Sequence, residues 1–581
     1  MNRLAIPAIL FLLCVSVMAG RPPGQRHGSI TGRLTNESGH PISNAGVFIR
    51  RLGSQTPVSR STGTDEDGRF HIDDLAPGSY TIIATTPGYV PAVEPDEEPR
   101  YRVGDSVTLR FTKGGVITGT ITNSLGEPVI GVRVTAIRVR DGLGRQVRQA
   151  TPGSARQTDD RGVYRLFGLS SGSYVVLAGG ASPNSFYGSA FDGDASTFYP
   201  STTRDAAAEV QVRTGEEMSG IDIRYRGDQG YSVSGTLSGA VLASTNSQAA
   251  TVYLRHAASG SVTATVYVSL REGTRGFALS GVPDGEYELI AQLGPTPADD
   301  PAASLPRRVT VKGADVTGIS LELALLGSIS GRVVVEKLAE AGAAADCKDR
   351  VVGSLDETLI SARRDEPPGK VVTSSLPQPD GAAERNGDFK ISNLTPARYR
   401  LETRLPSDWY VRSIVASAPG ATKQITALSN QGISITSGQR VAGVIVTVSE
   451  GAAALRGKVT PPQGNEPLPE RLRVYLVPAE PESAEELLKY VETVVEGNGT
   501  FSLPNLAPGK YYVLAREPLG EQLTERNARP VSWDAAARGK LRQQARSSGQ
   551  VVELGRCQRV AEYILKYSPV SDGVQPPRRV N

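Results

Sequence analysis

Cysteine, histidine and net charge are all scarce in this 581-residue chain, and each shortage removes a class of function. Three Cys are too few for a disulfide scaffold or a four-ligand zinc site. The four His, at positions 27, 40, 71 and 256, leave no pair at metal-ligand spacing. Lys and Arg number 63 against 60 Asp and Glu, so a net charge of +3 gives no pull toward nucleic acid or an anionic membrane. Aromatic residues are only 6% of the chain. Hydrophobic residues reach 39%, enough for packed cores and too many for a disordered chain. Gly and Pro together are about 18%, turn-rich but below the ~25–30% of low-complexity chains.

The first segment reads as an address. Arg3 precedes an apolar run from Leu4 to Val17, and Val17-Met18-Ala19 ends it on a small residue. That layout predicts a Sec-type signal peptide over residues 1–19, too short for a spanning helix, followed by a linker over 20–27. Leu13 before Cys14 departs from the small residue that lipidation requires. No later run is long enough to span a membrane; from Ile319 to Val335, Glu322, Gly327, Gly331 and Arg332 divide the apolar stretch into two strands. The expected location is secreted or periplasmic, at the cell envelope.

What is abundant is repetition. One phrase occurs five times: Gly68-Arg-Phe70-His-Ile72-Asp-Asp-Leu75-Ala-Pro77-Gly78-Ser-Tyr80, then around Tyr164 and Tyr174, Phe277 and Tyr287, Phe389 and Tyr399, and Phe501 and Tyr511. Alternation places Phe70 and Ile72 on one strand face, Pro77-Gly78 turns the chain, and Tyr80 starts the next strand with its hydroxyl expected at the wet rim. A second phrase opens each unit: Ile30-Thr-Gly32-Arg-Leu34, then its counterparts at Gly119, Gly235, Gly331 and Gly457. Its glycine marks a bulge or a close backbone approach. Gly-x-Pro-type turns introduce an alternating second strand in units one, two and five, and are missing from units three and four.

The expected fold is all-β: a tandem array of about five seven-strand β-sandwiches, transthyretin-like or Ig-like, over residues 28–112, 113–226, 227–326, 327–450 and 451–567. Minor helices are expected in the last unit, one from the capping box Ser483-Ala-Glu-Glu486 through Val495 and one from Ser532 to Ala545. Residues 568–581 read as a disordered tail.

The phrases resemble carboxypeptidase regulatory-like domains, which are transthyretin-like sandwiches grouped with starch-binding-like folds. Phe198-Tyr-Pro200, Gly215-Glu-Glu-Met-Ser-Gly220-Ile-Asp-Ile223 and Trp409-Tyr-Val-Arg-Ser-Ile414 are similar to words of multi-repeat secreted bacterial proteins of this class. The resemblance implies a fold and no peptidase, because the family name refers to an accessory sandwich beside one.

Several sequence patterns look chemical but fit structural duties better. Gly168-Leu-Ser170-Ser-Gly172 matches a nucleophile elbow but lacks the strand–helix context, so it reads as a turn. Asp65-Glu-Asp67 and Asp159-Asp160 lack the further acids of a calcium loop. Isopeptide cross-linking, as in similar-looking adhesin sandwiches, lacks a suitable Lys–Asn set. Cys347 and Cys557 lie in different units; free thiols are the simpler expectation and pairing stays open.

These readings predict an exported non-enzymatic binding or adhesion protein, without catalytic residues, metal or cofactor. Its expected partner is a polysaccharide or an extracellular or cell-envelope protein. The alternative is a structural stalk that binds nothing small. The aromatic-rich segment of unit two is the expected carbohydrate site: Phe186, Tyr187, Phe191, Asp192, Asp194, Phe198 and Tyr199. Flat rings beside polar groups suit sugar faces, and the competing reading folds those rings onto unit two.

Overall fold

A computed structural model describes residues 27–53, 59–92, 99–147, 152–180, 190–245, 247–258, 260–294, 301–337, 347, 353–365, 380–416, 431–461, 467–469, 471–518 and 529–569. The expected signal peptide, nearly all of the linker, most of the tail, Phe186 and Tyr187 lie outside the described residues.

Five β-sandwiches follow one another, each built on the same two three-strand kernels. In unit one the opening strand Gly28–Thr35 pairs antiparallel with the phrase strand Arg69–Leu75 and parallel with the closing strand Ser106–Lys113. Facing it, the second strand Gly46–Arg51 lies between the third, Ser59–Gly63, and the fifth, Ser79–Thr85. The same parallel pairing joins opening and closing strands in the other four units. In unit three the short strand Ala302–Ser304 pairs with both layers, so its eight strands form one continuous sheet. Alternation fills the space between layers: Ile30, Leu34, Phe70, Ile72, Leu75 and Tyr80 are all buried in unit one.

The opening glycine is dictated by the closing strand. A Cβ on Gly32, Gly119, Gly235, Gly331 or Gly457 would collide with the carbonyl oxygen of Val107, Ile221, Ile319, Val444 or Tyr563 respectively. In units three, four and five the parallel ladder also shifts register at this glycine. Close approach and bulge therefore coincide.

The repeated tyrosine is buried in every unit, at 1–2% exposure. Its hydroxyl does not stay at a wet rim. It donates to the carbonyl four residues upstream: Tyr80 to Ala76, Tyr174 to Ser170, Tyr287 to Pro283, Tyr399 to Thr395 and Tyr511 to Ala507, at 2.6–2.9 Å. Just ahead of that turn a left-handed residue recurs, filled by Asp74, Gly168, Gly281, Asn393 and Asn505 with φ between 58° and 73°.

Two further sequence expectations are corrected. The segment from Ser483 is not a helix but two single 3-10 turns, Pro481–Ser483 and Leu487–Lys489, followed by the strand Val491–Val494. Its apolar residues serve different surfaces: Leu488 packs on the core of unit four, while Val491–Val494 pairs with Arg473–Pro478. The later helix does form, over Ala535–Ser548, capped by Asp534, which accepts from the Ala537 amide at 2.8 Å. Units three and four have clear second strands despite lacking the turn signal, Ala249–His256 and Leu359–Arg364. Cys347 and Cys557 are not free thiols; they form a disulfide with Cα atoms 5.3 Å apart, tying unit four to unit five.

Candidate functional site

The aromatic segment of unit two is anchored by the two-residue strand Thr197–Phe198, which pairs with the fifth strand Gly172–Ala178. Phe198 is 6% exposed, and the Arg204 guanidinium lies over its ring at 5.8 Å. Tyr199 leans on the same core, and its amide donates to the Val176 carbonyl at 2.9 Å. Phe191 sets its edge against Tyr225, ring centroids 5.6 Å apart. The Tyr225 hydroxyl donates to Asp194 at 2.7 Å, and burial, reinforced by that carboxylate, holds its pKa far above that of a free phenol. Phe198 is therefore corrected from a sugar-stacking ring to a core ring, because an aromatic face this enclosed cannot meet a ligand.

Asp192 and Asp194 occupy a junction between sandwiches. A Cβ on Gly281 of unit three would meet the carbonyl oxygens of Asp192 and Asp194 at 2.6 and 3.1 Å. The amide of Ala195 donates to Asp228 at 2.8 Å, and that of Gly230 to Gly193 at 3.3 Å. Of the seven predicted site residues, the five described ones lie near one another: Phe191 and Tyr199 on the core of unit two, Phe198 buried beside its fifth strand, and Asp192 and Asp194 where units two and three meet.

The other chemical candidates are absorbed by the fold. Ser170 supplies the carbonyl for Tyr174, and Gly168 fills the left-handed slot, so the elbow-like motif is a turn. Asp65 and Asp159 each accept a backbone amide four residues on, at 2.7 Å. The Val163 amide, with Arg161, holds the Asp159 carboxyl below its ordinary range. His71 faces Asp73 at 2.5 Å on an exposed strand, and His256 of unit three faces Asp205 of unit two at 3.3 Å. Among the described residues no group of three or more His, Cys, Asp or Glu is placed to hold a metal ion. An open cleft of about 410 Å³ lies beside Gly331, lined in part by Arg332 and Asp388, which pair at 2.7 Å.

Sequence reasoning missed the contacts between units. Unit one lies against unit four: the Ala382 amide donates to Gly53 at 3.0 Å, Ser79 Oγ donates to the Glu357 carbonyl at 3.0 Å, and Arg102 meets the Glu357 carboxylate at 3.3 Å. Gly53 has φ +65°, and any side chain there would run into Ala382. Units four and five share more than the disulfide. Trp533 of unit five lies against the guanidiniums of Arg363 and Arg400 of unit four, each 5.3 Å from the ring. Buried Asp365 accepts from Arg400 at 2.7 Å and faces Arg529 at 3.4 Å. Asn505 donates to the carbonyls of Pro406 and Trp409, at 2.5 and 2.7 Å. The surplus of arginine on the Ala397–Arg404 strand was visible as sequence; its partners in another unit were not.

No helix among the described residues is long and apolar enough to cross a membrane. Among known proteins, 180 residues are 30% identical to Colossin-A of Dictyostelium discoideum, covering 28% of this chain and 2% of that protein. A further 174 residues are 25% identical to a fibrinogen-binding protein of Staphylococcus epidermidis, covering 24% of this chain and 14% of that one. The chain therefore spans only a small part of the length of these relatives. A solved minor pilin of Streptococcus agalactiae aligns at 14% identity over 34% of this chain and 96% of its own, with a TM-score of 0.19. The family model of the carboxypeptidase regulatory-like domain matches residues 29–112, the span of the first sandwich in this multidomain β-sandwich chain.

Proposed function

We propose that this chain is a non-enzymatic surface protein with an adhesive or structural role. The observation that carries the reading is the use made of its polar side chains. The recurring hydroxyls, carboxylates and guanidiniums bond the backbone of their own sandwich or tie one sandwich to another. A multi-sandwich body with docked units suits holding and presenting a surface. The name of the fibrinogen-binding relative supports an extracellular protein as partner. Export after removal of residues 1–19 and a final place at the cell envelope belong to the same proposal.

The finer carbohydrate reading now rests on Phe186 and Tyr187 of segment 182–203, supported by composition alone. A plain extended stalk is disfavoured by the docking of unit one on unit four. The test is parallel binding of the mature chain to immobilised fibrinogen, other matrix proteins and a polysaccharide panel, repeated with Tyr187→Ala. Protein binding unaffected by Tyr187→Ala supports the main reading. Polysaccharide binding lost in that variant transfers weight to the finer one. Turnover of any ligand would end the non-enzymatic reading.

A further inference from the structure

Every sandwich carries a third strand at the open edge of one layer, paired on one side only with the second strand. Such an edge offers the N–H and C=O groups of alternate residues to any strand that arrives. Four of the five edges are blunted. Ser59–Gly63 is five residues long and carries Arg60. Pro152–Gln157 contains Pro152 and Arg156. Asp380–Ala382 is three residues long, begins with an acid, and its Ala382 amide is already taken by Gly53 of unit one. Val491–Val494 is four residues long and carries Glu492.

The third strand of unit three is different. Val262–Ser269 runs for eight residues, Val-Thr-Ala-Thr-Val-Tyr-Val-Ser, without a charge or a proline. From Ala264 to Ser269 it pairs with Ala249–His256 without a register shift, so no bulge twists this stretch away. Ala264 and Val268 point into the core, while Tyr267 is 68% exposed on the outward face with Thr265 and Ser269. Among the described residues no strand pairs with its far side. The edge of unit four shows that this position in the frame accepts a neighbour's backbone.

We propose that Val262–Ser269 is a self-docking edge, on which a second copy of this chain adds its own Val262–Ser269 antiparallel about a two-fold axis. Charge selects this occupant. In an isologous seam a charge near the two-fold axis lies close to its own copy in the partner, so like charges are brought together. Arg60, Arg156, Asp380 and Glu492 oppose that at the other edges, and no charged residue of Val262–Ser269 does so here. The net charge of +3 on the whole chain adds little repulsion between copies. Inward residues must oppose inward residues, so only registers of one parity fit. In the central register Val266 meets Val266, and Thr265 meets Tyr267, a β-branched–aromatic cross-strand pair. A seam of this length belongs to the small class of interfaces, with affinity in the roughly micromolar range.

The test uses the full mature chain. Sedimentation velocity over a concentration series should show a monomer–dimer equilibrium. Hydrogen exchange should show amides of Val262–Ser269 gaining protection as concentration rises. Thr265→Lys with Tyr267→Lys should weaken the dimer about tenfold or more, and so should Thr265→Glu with Tyr267→Glu. Both pairs of changes lie on the outward face, and intact melting curves verify folding. Mixing the two variants should restore the dimer, because lysine then faces glutamate. A wild-type chain that stays monomeric to on the order of 100 μM overturns the proposal. So does a dimer that leaves the exchange of Val262–Ser269 unchanged, one that survives the lysine variant, or a failure of the mixed variants to associate.

Discussion

The Tyr174 hydroxyl donates to the carbonyl of Ser170, four residues upstream, at 2.8 Å. The same bond recurs at the same point in all five sandwiches, so the tyrosine closes the turn that begins the fifth strand. Ring and hydroxyl make separable contributions. Tyr174→Phe should lose about 1 kcal/mol, the worth of one hydrogen bond, and Tyr174→Ala about 3 kcal/mol or more through the cavity it leaves. Denaturant unfolding of both variants checks the ratio; an unchanged stability in Tyr174→Phe would mean that the hydroxyl bond is worth nothing.

Gly235→Ala should be more damaging than a glycine-to-alanine change in a strand ordinarily is. The new methyl would meet the Ile319 carbonyl of the closing strand, which is backbone and cannot rotate aside. A loss of roughly 2 kcal/mol or more is expected, the range of an overpacked core. The melting temperature of the variant measures it, with Gly273→Ala as a comparison at an uncrowded turn glycine whose φ is +73°.

Cys347 and Cys557 should be recovered as one cross-linked peptide pair from a non-reducing digest, and the folded mature chain should show no free thiol. Reduction, or Cys557→Ser, should lower stability by about 2–4 kcal/mol. The loss should fall first on the joint between units four and five, because the bridge connects those units. Hydrogen exchange with and without reductant locates it.

Contact between units one and four should depend on pH through Glu357. Burial raises its carboxyl above 4.5, and the Arg102 guanidinium draws it partly back. The docked state then holds more protons than the undocked state between 4.5 and the raised value, so docking is strongest below 4.5 and weakens as pH climbs through that interval. Exchange of the Ala382 amide, which donates to Gly53, reports docking. Glu357→Gln should flatten the profile; an unchanged profile would assign it to another group.

Segment 28–112 should unfold cooperatively on its own, with a β-type circular dichroism spectrum. Its core of Ile30, Val47, Ile49, Phe70, Ile72, Leu75, Tyr80 and Val107 is drawn from this segment alone. It should be less stable than within the full chain, having lost Glu357 and Ala382 as partners. A spectrum without β-structure would place the boundary elsewhere.

The opening, phrase, tyrosine and closing strands of all five units, the turn before each tyrosine and the need for a glycine in each opening strand were legible in the sequence. They are set by local chemistry: alternation fixes which face is apolar, Pro-Gly fixes a turn, and a lone glycine in a strand signals crowding. The sequence also left Ser170 to a turn and the acids to backbone duty, because their neighbours lacked the context that catalysis or calcium needs. It could not show that Phe198 is buried, that Ser483–Val495 divides into turns and a strand, or that Cys347 reaches Cys557. Each depends on a partner far away in the chain. Phe198 is buried by the fifth strand and Arg204, Val491–Val494 is drawn straight by its pairing with Arg473–Pro478, and the disulfide is possible only because units four and five are locked side by side. Period and turn chemistry act over a few residues and can be read along a line. Docking of one sandwich on another, and the edge left open at Val262–Ser269, are properties of surfaces that exist only once the strands have been folded together.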